Sequence, residues 1–176
     1  MHASAQARVA RLERVFSHIG ATRMLDVPVL NTSLQVQAVG FELADEAEAQ
    51  ILQGILITPW FMNLVRLPLL ATELPASGSD VASHEPGSKH SYVLGGNSLE
   101  FILAHEAELG YFEACSLFSP MFEFADQEGA VATATEILRL LRETPAPETA
   151  SGLEMPARRG FLLGRSSKTS KISPAP

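Results

Sequence analysis

Apolar residues recur at Val9, Leu12, Phe16 and Ile19, three and four positions apart, with Arg8, Arg11 and Arg14 between them. That spacing predicts an amphipathic helix with one apolar stripe, and Gly20 is a natural stop. Beyond Pro28 the period shortens to two. From Leu34 to Leu43 apolar and polar side chains mostly alternate, with a slip at Val39-Gly40, which predicts a strand bulged near Gly40. An acidic turn at 45–48 separates it from a mostly apolar strand, Ile51 to Ile57, expected to pair with it antiparallel. Thr58-Pro59 then has the form of a helix start, a hydroxyl cap followed by a first-turn proline. On that basis Trp60 to Val65 is expected to be a short helix.

Residues 75–91 mix Pro, Ser, Gly, Asp and His and read as loop. Three more strands are expected at Ser91–Leu94, Leu99–His105 and Tyr111–Phe118, with turns at Gly95-Gly96-Asn97 and Glu108-Leu109-Gly110. Val131, Ala134, Leu138 and Leu141, widened by Ile137, mark a second helix capped by Asp126 and barred from continuing by Pro145. The sum is an α+β fold in two layers: an antiparallel sheet of about five strands, with the N-terminal and C-terminal helices on one face. Residues 1–150 are expected to form a single domain. Residues 151–176 form a basic tail carrying the segment RRGFLLGR.

Charge sharpens that division. The chain of 176 residues has a formal net charge of −7. The tail from Ser151 holds five basic residues and one acid, so residues 1–150 carry −11. An acidic body argues against nucleic-acid binding and would suit a basic peptide. No apolar run approaches the roughly 20 residues of a membrane span, so no membrane insertion is expected. Charged residues interrupt the N-terminal twenty, which makes a poor signal peptide, and the chain reads as cytoplasmic.

Catalytic chemistry is sparse. His84, His90, His105 and Cys115 match no usual metal-ligand spacing, so neither metal nor other cofactor is expected. A Cys115/His105 pair on neighbouring strands would be the basis of a small-molecule enzyme. The three histidines would be that of a metal-carrying accessory protein. Both stand as alternatives to a binding module. More prominent are two apolar clusters at strand ends: Trp60, Phe61 and Met62 after Pro59, and Met121, Phe122 and Phe124 after Pro120. On one edge of the sheet they would form an aromatic and methionine shelf for a protein partner; buried, they would be a lid on the sheet.

Three stretches, GILITPWFMNLV (54–65), CSLFSPMFEF (115–124) and PARRGFLLGR (156–165), resemble the HybE family of nickel–iron hydrogenase assembly chaperones in order and spacing. The resemblance covers about residues 5–167. It implies a non-enzymatic accessory protein that acts in the cytoplasm on precursors of an uptake hydrogenase. Its implied partners are the small subunit, which carries a twin-arginine leader and must wait for export, and the large subunit. Some relatives are joined to a rubredoxin domain; this chain lacks the paired CxxC motifs. No catalytic residue carries over. The partner-binding candidates are Thr58, Pro59, Trp60, Phe61 and Met62; Met121 and Phe122; and Arg158, Arg159, Phe161, Leu162 and Arg165. The last group lies in a phrase worded like an export leader but placed after the folded domain. It reads either as a tail pinned by Phe161 and Leu162 or as a leader mimic. Oligomeric state is not indicated.

Overall fold

The computed structural model describes residues 2–25, 27–44, 50–70 and 85–143, all within one compact unit, Met1–Pro145. The apolar stripe at Leu12, Val15, Phe16 and Ile19 is the buried side of α1 (His2–Thr22). The helix runs on past Gly20 rather than stopping there. Gly20 serves packing instead: a β-carbon at this position would meet the Trp60 ring at 3.2 Å.

The sheet has six strands, one more than expected: β1 (Gln37–Leu43), β2 (Ile51–Ile57), β3 (Met62–Pro68), β4 (Lys89–Leu94), β5 (Asn97–Glu106) and β6 (Gly110–Phe118). Their spatial order is β1-β2-β3-β6-β5-β4, every pair antiparallel. The additional strand is β3, where the sequence favours a short helix. Thr58-Pro59 turns the chain back as a hairpin, with Ile57 opposite Met62, instead of starting a helix. The bulge expected in β1 is present: register shifts between Val39 and Glu42, and Gly40 takes φ 59°.

The two helices lie on opposite faces of the sheet, which corrects the expectation of two layers with both helices on one face. Alternate residues of each central strand serve different helices. Leu52 and Leu56 of β2, with Val65 and Leu67 of β3, share a core with α1. Ile55 and Ile57, with Met62 and Leu64, share a second core with α2 (Gln127–Arg142). The near-continuous apolar runs of β2 and β3 follow from this, because a strand covered on both faces has no solvent phase to mark with polar residues. Asp126 caps α2 as expected, its carboxylate accepting from the Gly129 N–H at 2.8 Å.

Side chains seal the outer edge of β1. Glu13 of α1 accepts from the Ala38 N–H at 2.8 Å, and Arg142 of α2 donates to the Gly40 carbonyl at 2.7 Å. An edge so occupied is a poor template for another strand. Buried Arg8 ties α1 to the end of β3 and to the β5–β6 turn, donating to the Pro68 carbonyl at 2.8 Å and the Leu109 carbonyl at 2.6 Å. Burial, and secondarily Arg11, pushes its pKa down. Among the described residues no helix is long and apolar enough to cross a membrane.

Candidate functional site

The two motif stretches of the ordered body meet at one end of the sheet. Met62 opens β3 directly opposite Phe118 at the close of β6, so the β2–β3 hairpin and the chain leaving β6 are neighbours. Thr58 builds the hairpin. Its N–H donates to the Phe61 carbonyl at 2.8 Å. Its hydroxyl accepts from the Phe61 N–H at 2.9 Å and the Trp60 N–H at 3.3 Å, and donates to the Phe61 carbonyl. The hydroxyl-capping device suggested by the sequence is thus present, but it closes a turn. Thr58→Val keeps the shape and the backbone bond but removes the hydroxyl's bonds from a fully buried position. It should cost about 1–3 kcal/mol in urea unfolding, while Thr58→Ser stays near wild type.

Asn31 clasps this hairpin to the chain that leaves β6. Its N–H donates to the Pro59 carbonyl at 2.8 Å. Its side-chain amide donates to the Met121 carbonyl at 3.0 Å and the Phe124 carbonyl at 2.7 Å. The sequence carries no local sign of this role. The Ser119–Pro120 peptide between β6 and the clasp is cis.

The candidate residues then divide. Thr58, Met62 and Met121 are buried, the two methionines in the α2-side core. Trp60 and Phe61 are half-buried on the α1 side, where Phe61 meets Phe16 edge-on with ring centres 5.7 Å apart. Pro59 is half-buried, and Phe122 stands 60% exposed. The shelf and lid readings therefore each describe part of the cluster: the methionines are lid, Phe122 is surface, and Trp60 is partly both. Arg158, Arg159, Phe161, Leu162 and Arg165 lie outside the described residues, as does His84.

The remaining chemical candidates do not assemble. Cys115 lies one residue beyond the Ile102–Ala114 pair and His105 is opposite Tyr111, so the two are four residues apart along the ladder. At the rise of a strand that is about 13 Å, too far for a nucleophile–base pair. His105 packs on Tyr111 instead. His90 bonds to Glu113, and among the described residues no three metal-ligating side chains form a cluster.

One polar constellation lies beyond the expected candidates. Arg66 of β3, 1% exposed, sits beside the equally buried Glu113 of β6, Nε to Oε2 at 3.4 Å. The Tyr92 hydroxyl donates to Glu113 at 2.9–3.0 Å, and His90 Nδ1 shares a hydrogen bond with the same carboxylate. The Arg66 guanidinium lies 3.8 Å from the centre of the Tyr92 ring and donates to Gln53 at 3.2 Å. Three strands, β3, β4 and β6, are thereby joined through one carboxylate, and Arg66 extends the network to Gln53 of β2. A lone arginine within Leu64-Val65-Arg66-Leu67 is the sequence signal that points to it, because a charge among apolar neighbours needs a buried partner.

Comparison with known proteins extends these observations. A family model described as NiFe-hydrogenase assembly, chaperone, HybE matches residues 7–164. Protein HoxT of Cupriavidus necator is 49% identical over 162 residues, covering 90% of this chain and 89% of that protein. The hydrogenase expression/formation protein HupJ of Bradyrhizobium diazoefficiens is 37% identical over 154 residues, covering 85% and 83% respectively. The solution structure of HybE from Escherichia coli matches with a TM-score of 0.57 at 23% identity, across 92% of this chain and 91% of that one. At that identity the likeness speaks to fold alone.

Proposed function

Given that this chain belongs to the HybE family of nickel–iron hydrogenase assembly chaperones, we propose that it binds hydrogenase subunit precursors in the cytoplasm before export. The family is one of non-catalytic assembly factors. The partners we assign are the small-subunit precursor with its twin-arginine leader and the large subunit. The reading rests above all on the family match over residues 7–164, which includes both motif stretches of the Asn31-clasped end and nearly all of the third. The exposed Phe122 suits a protein partner, since aromatic side chains dominate contact energy at such surfaces.

Tagged full-length protein, purified gently at low salt from cells assembling a hydrogenase, should carry one or both subunits with it. The small subunit should be recovered in its leader-bearing form. Recovery of neither subunit would overturn the proposal.

A further inference from the structure

Nearly every cation of the body has a partner. Residues 1–150 hold eight of the chain's thirteen arginines and lysines, against nineteen of its twenty acids. Six of the eight are held: Arg8 by two carbonyls, Arg23 by Glu106, Arg66 by Glu113, Lys89 by Glu100, Arg139 by Glu136 and Glu143, and Arg142 by Glu42. Among the described residues that leaves Arg11 and Arg14. Both are exposed on α1, and so is His18 one turn on. Spaced three and four apart, the three side chains share one solvent-facing stripe of the helix.

No described acid engages the stripe. Glu13, the one acid of α1, turns its carboxylate to the Ala38 N–H. Glu106 is taken by Arg23, and Glu108 in the same turn is exposed and pairs with neither arginine. Asp26 and the acids at 45–48 lie outside the described residues. Folding does not account for Arg11 either. It stands one turn from buried Arg8 and, after burial itself, is what pushes the Arg8 pKa down. Like charges at this spacing cost a helix stability. A body with more than two acids for each base nonetheless keeps two arginines side by side, exposed and unpaired.

We propose that the stripe of Arg11, Arg14 and His18 is a docking surface for a short acidic segment of a protein partner, one that sets two carboxylates about a helical turn apart. Each guanidinium offers a two-pronged donor that fits one carboxylate. Charge complementarity also limits the size of the occupant. From Arg11 to His18 the stripe is about 10 Å long, and the body around it carries −11, which repels an extended polyanion such as nucleic acid. A membrane surface finds nothing apolar to take up, because the apolar side of α1 is buried against the sheet. The inference goes beyond the subunit-binding reading and does not require it: this surface lies on α1 and asks for the opposite charge from a twin-arginine leader.

NMR titration of the full-length protein at low salt tests it. The probe is a synthetic helical peptide with glutamates three and four positions apart, compared with its counterpart bearing glutamines. The acidic peptide should shift the Nε–Hε resonances of Arg11 and Arg14, less so as salt rises, and the glutamine peptide should not. Arg11→Ala with Arg14→Ala should weaken binding about ten-fold or more. Lys89→Ala with Arg139→Ala removes the same charge from positions already paired and should leave the affinity unchanged. Arg11→Ala alone should unfold at no lower urea concentration than wild type, because it relieves Arg8.

No shift with the acidic peptide, equal binding of the two peptides, or an equal loss in the two double variants would overturn the assignment. So would an Arg11→Ala protein that unfolds at clearly lower urea, since the side chain would then serve the fold. Phosphatidylglycerol vesicles or a single-stranded oligonucleotide shifting the same resonances more strongly than the peptide would overturn the choice of an acidic segment. Failure of wild type to recover hydrogenase subunits would remove the subunit-binding reading and leave the titration result standing.

Discussion

Replacing Glu113 with alanine should remove about 3–5 kcal/mol of stability, the range for breaking a buried ion pair from one side. Glu113 is the shared acceptor for Arg66, Tyr92 and His90, which reach it from β3 and β4. Without the carboxylate, Arg66 remains 1% exposed and loses this ion-pair partner, and the Tyr92 hydroxyl loses both contacts to Glu113. The pair as a whole contributes far less than its disruption costs. Arg66→Met combined with Glu113→Leu should therefore recover most of the loss, since apolar residues of similar volume are tolerated where a buried pair is removed entirely. Urea unfolding of the two variants separates these cases. A Glu113→Ala protein within about 1 kcal/mol of wild type would show that the cluster is less dry than its burial indicates.

Gly54→Ala should be nearly as damaging, at about 3 kcal/mol, the upper part of the range for overpacking. A β-carbon here would stand 2.5 Å from the Phe41 ring and 2.8 Å from its Cα. The ring could turn away; the backbone atom lies in the bulge of β1, tethered on either side by the paired residues Val39 and Glu42, and has far less room to move. Phe41 is on the α1 side because the bulge at Val39–Glu42 shifts the alternation of β1 by one position. The glycine that opens the first family stretch thus has a steric reason to be there. Thermal melts should show a clear loss, and a Tm matching wild type would refute the packing argument.

Much of this fold is legible from periodicity. The stripe of α1, the cap and stripe of α2, the bulge at Gly40 and the three C-terminal strands all follow from local signals. β3 is not legible in the same way, for two reasons. Thr-Pro satisfies the chemistry of a helix start and of a hairpin closure equally well. Met62 to Pro68, covered by both layers, also lacks the alternation that identifies a strand. The placement of the helices on opposite faces depends on tertiary packing that periodicity does not encode. It is foreshadowed only by the continuous apolar run of β2, which a single buried face does not require.

The candidate site is divided in the same way. Trp60, Phe61, Met62, Met121 and Phe122 stand out by composition, and the register of β3 against β6 brings them to one end. Which of them faces solvent is decided by neighbours distant in sequence, Gly20 and Phe16 on one side and the α2 core on the other. Asn31, which fixes the arrangement, resembles any loop asparagine in the sequence. Arg66 and Glu113 are the reverse case: each is a charge within a strand run, a pattern that signals a buried pair. They hold β3, β4 and β6 together rather than exposing chemistry to a substrate.

The central claim is that hydrogenase subunit precursors are received at the Asn31-clasped end. Hydrogen–deuterium exchange of the full-length protein, alone and with saturating leader-bearing small-subunit precursor, tests it most directly. Added protection should fall on residues 28–34, 58–62 and 119–128, with the β4–β5 hairpin unchanged. Protection confined to that hairpin, or no change anywhere at saturation, would contradict the account.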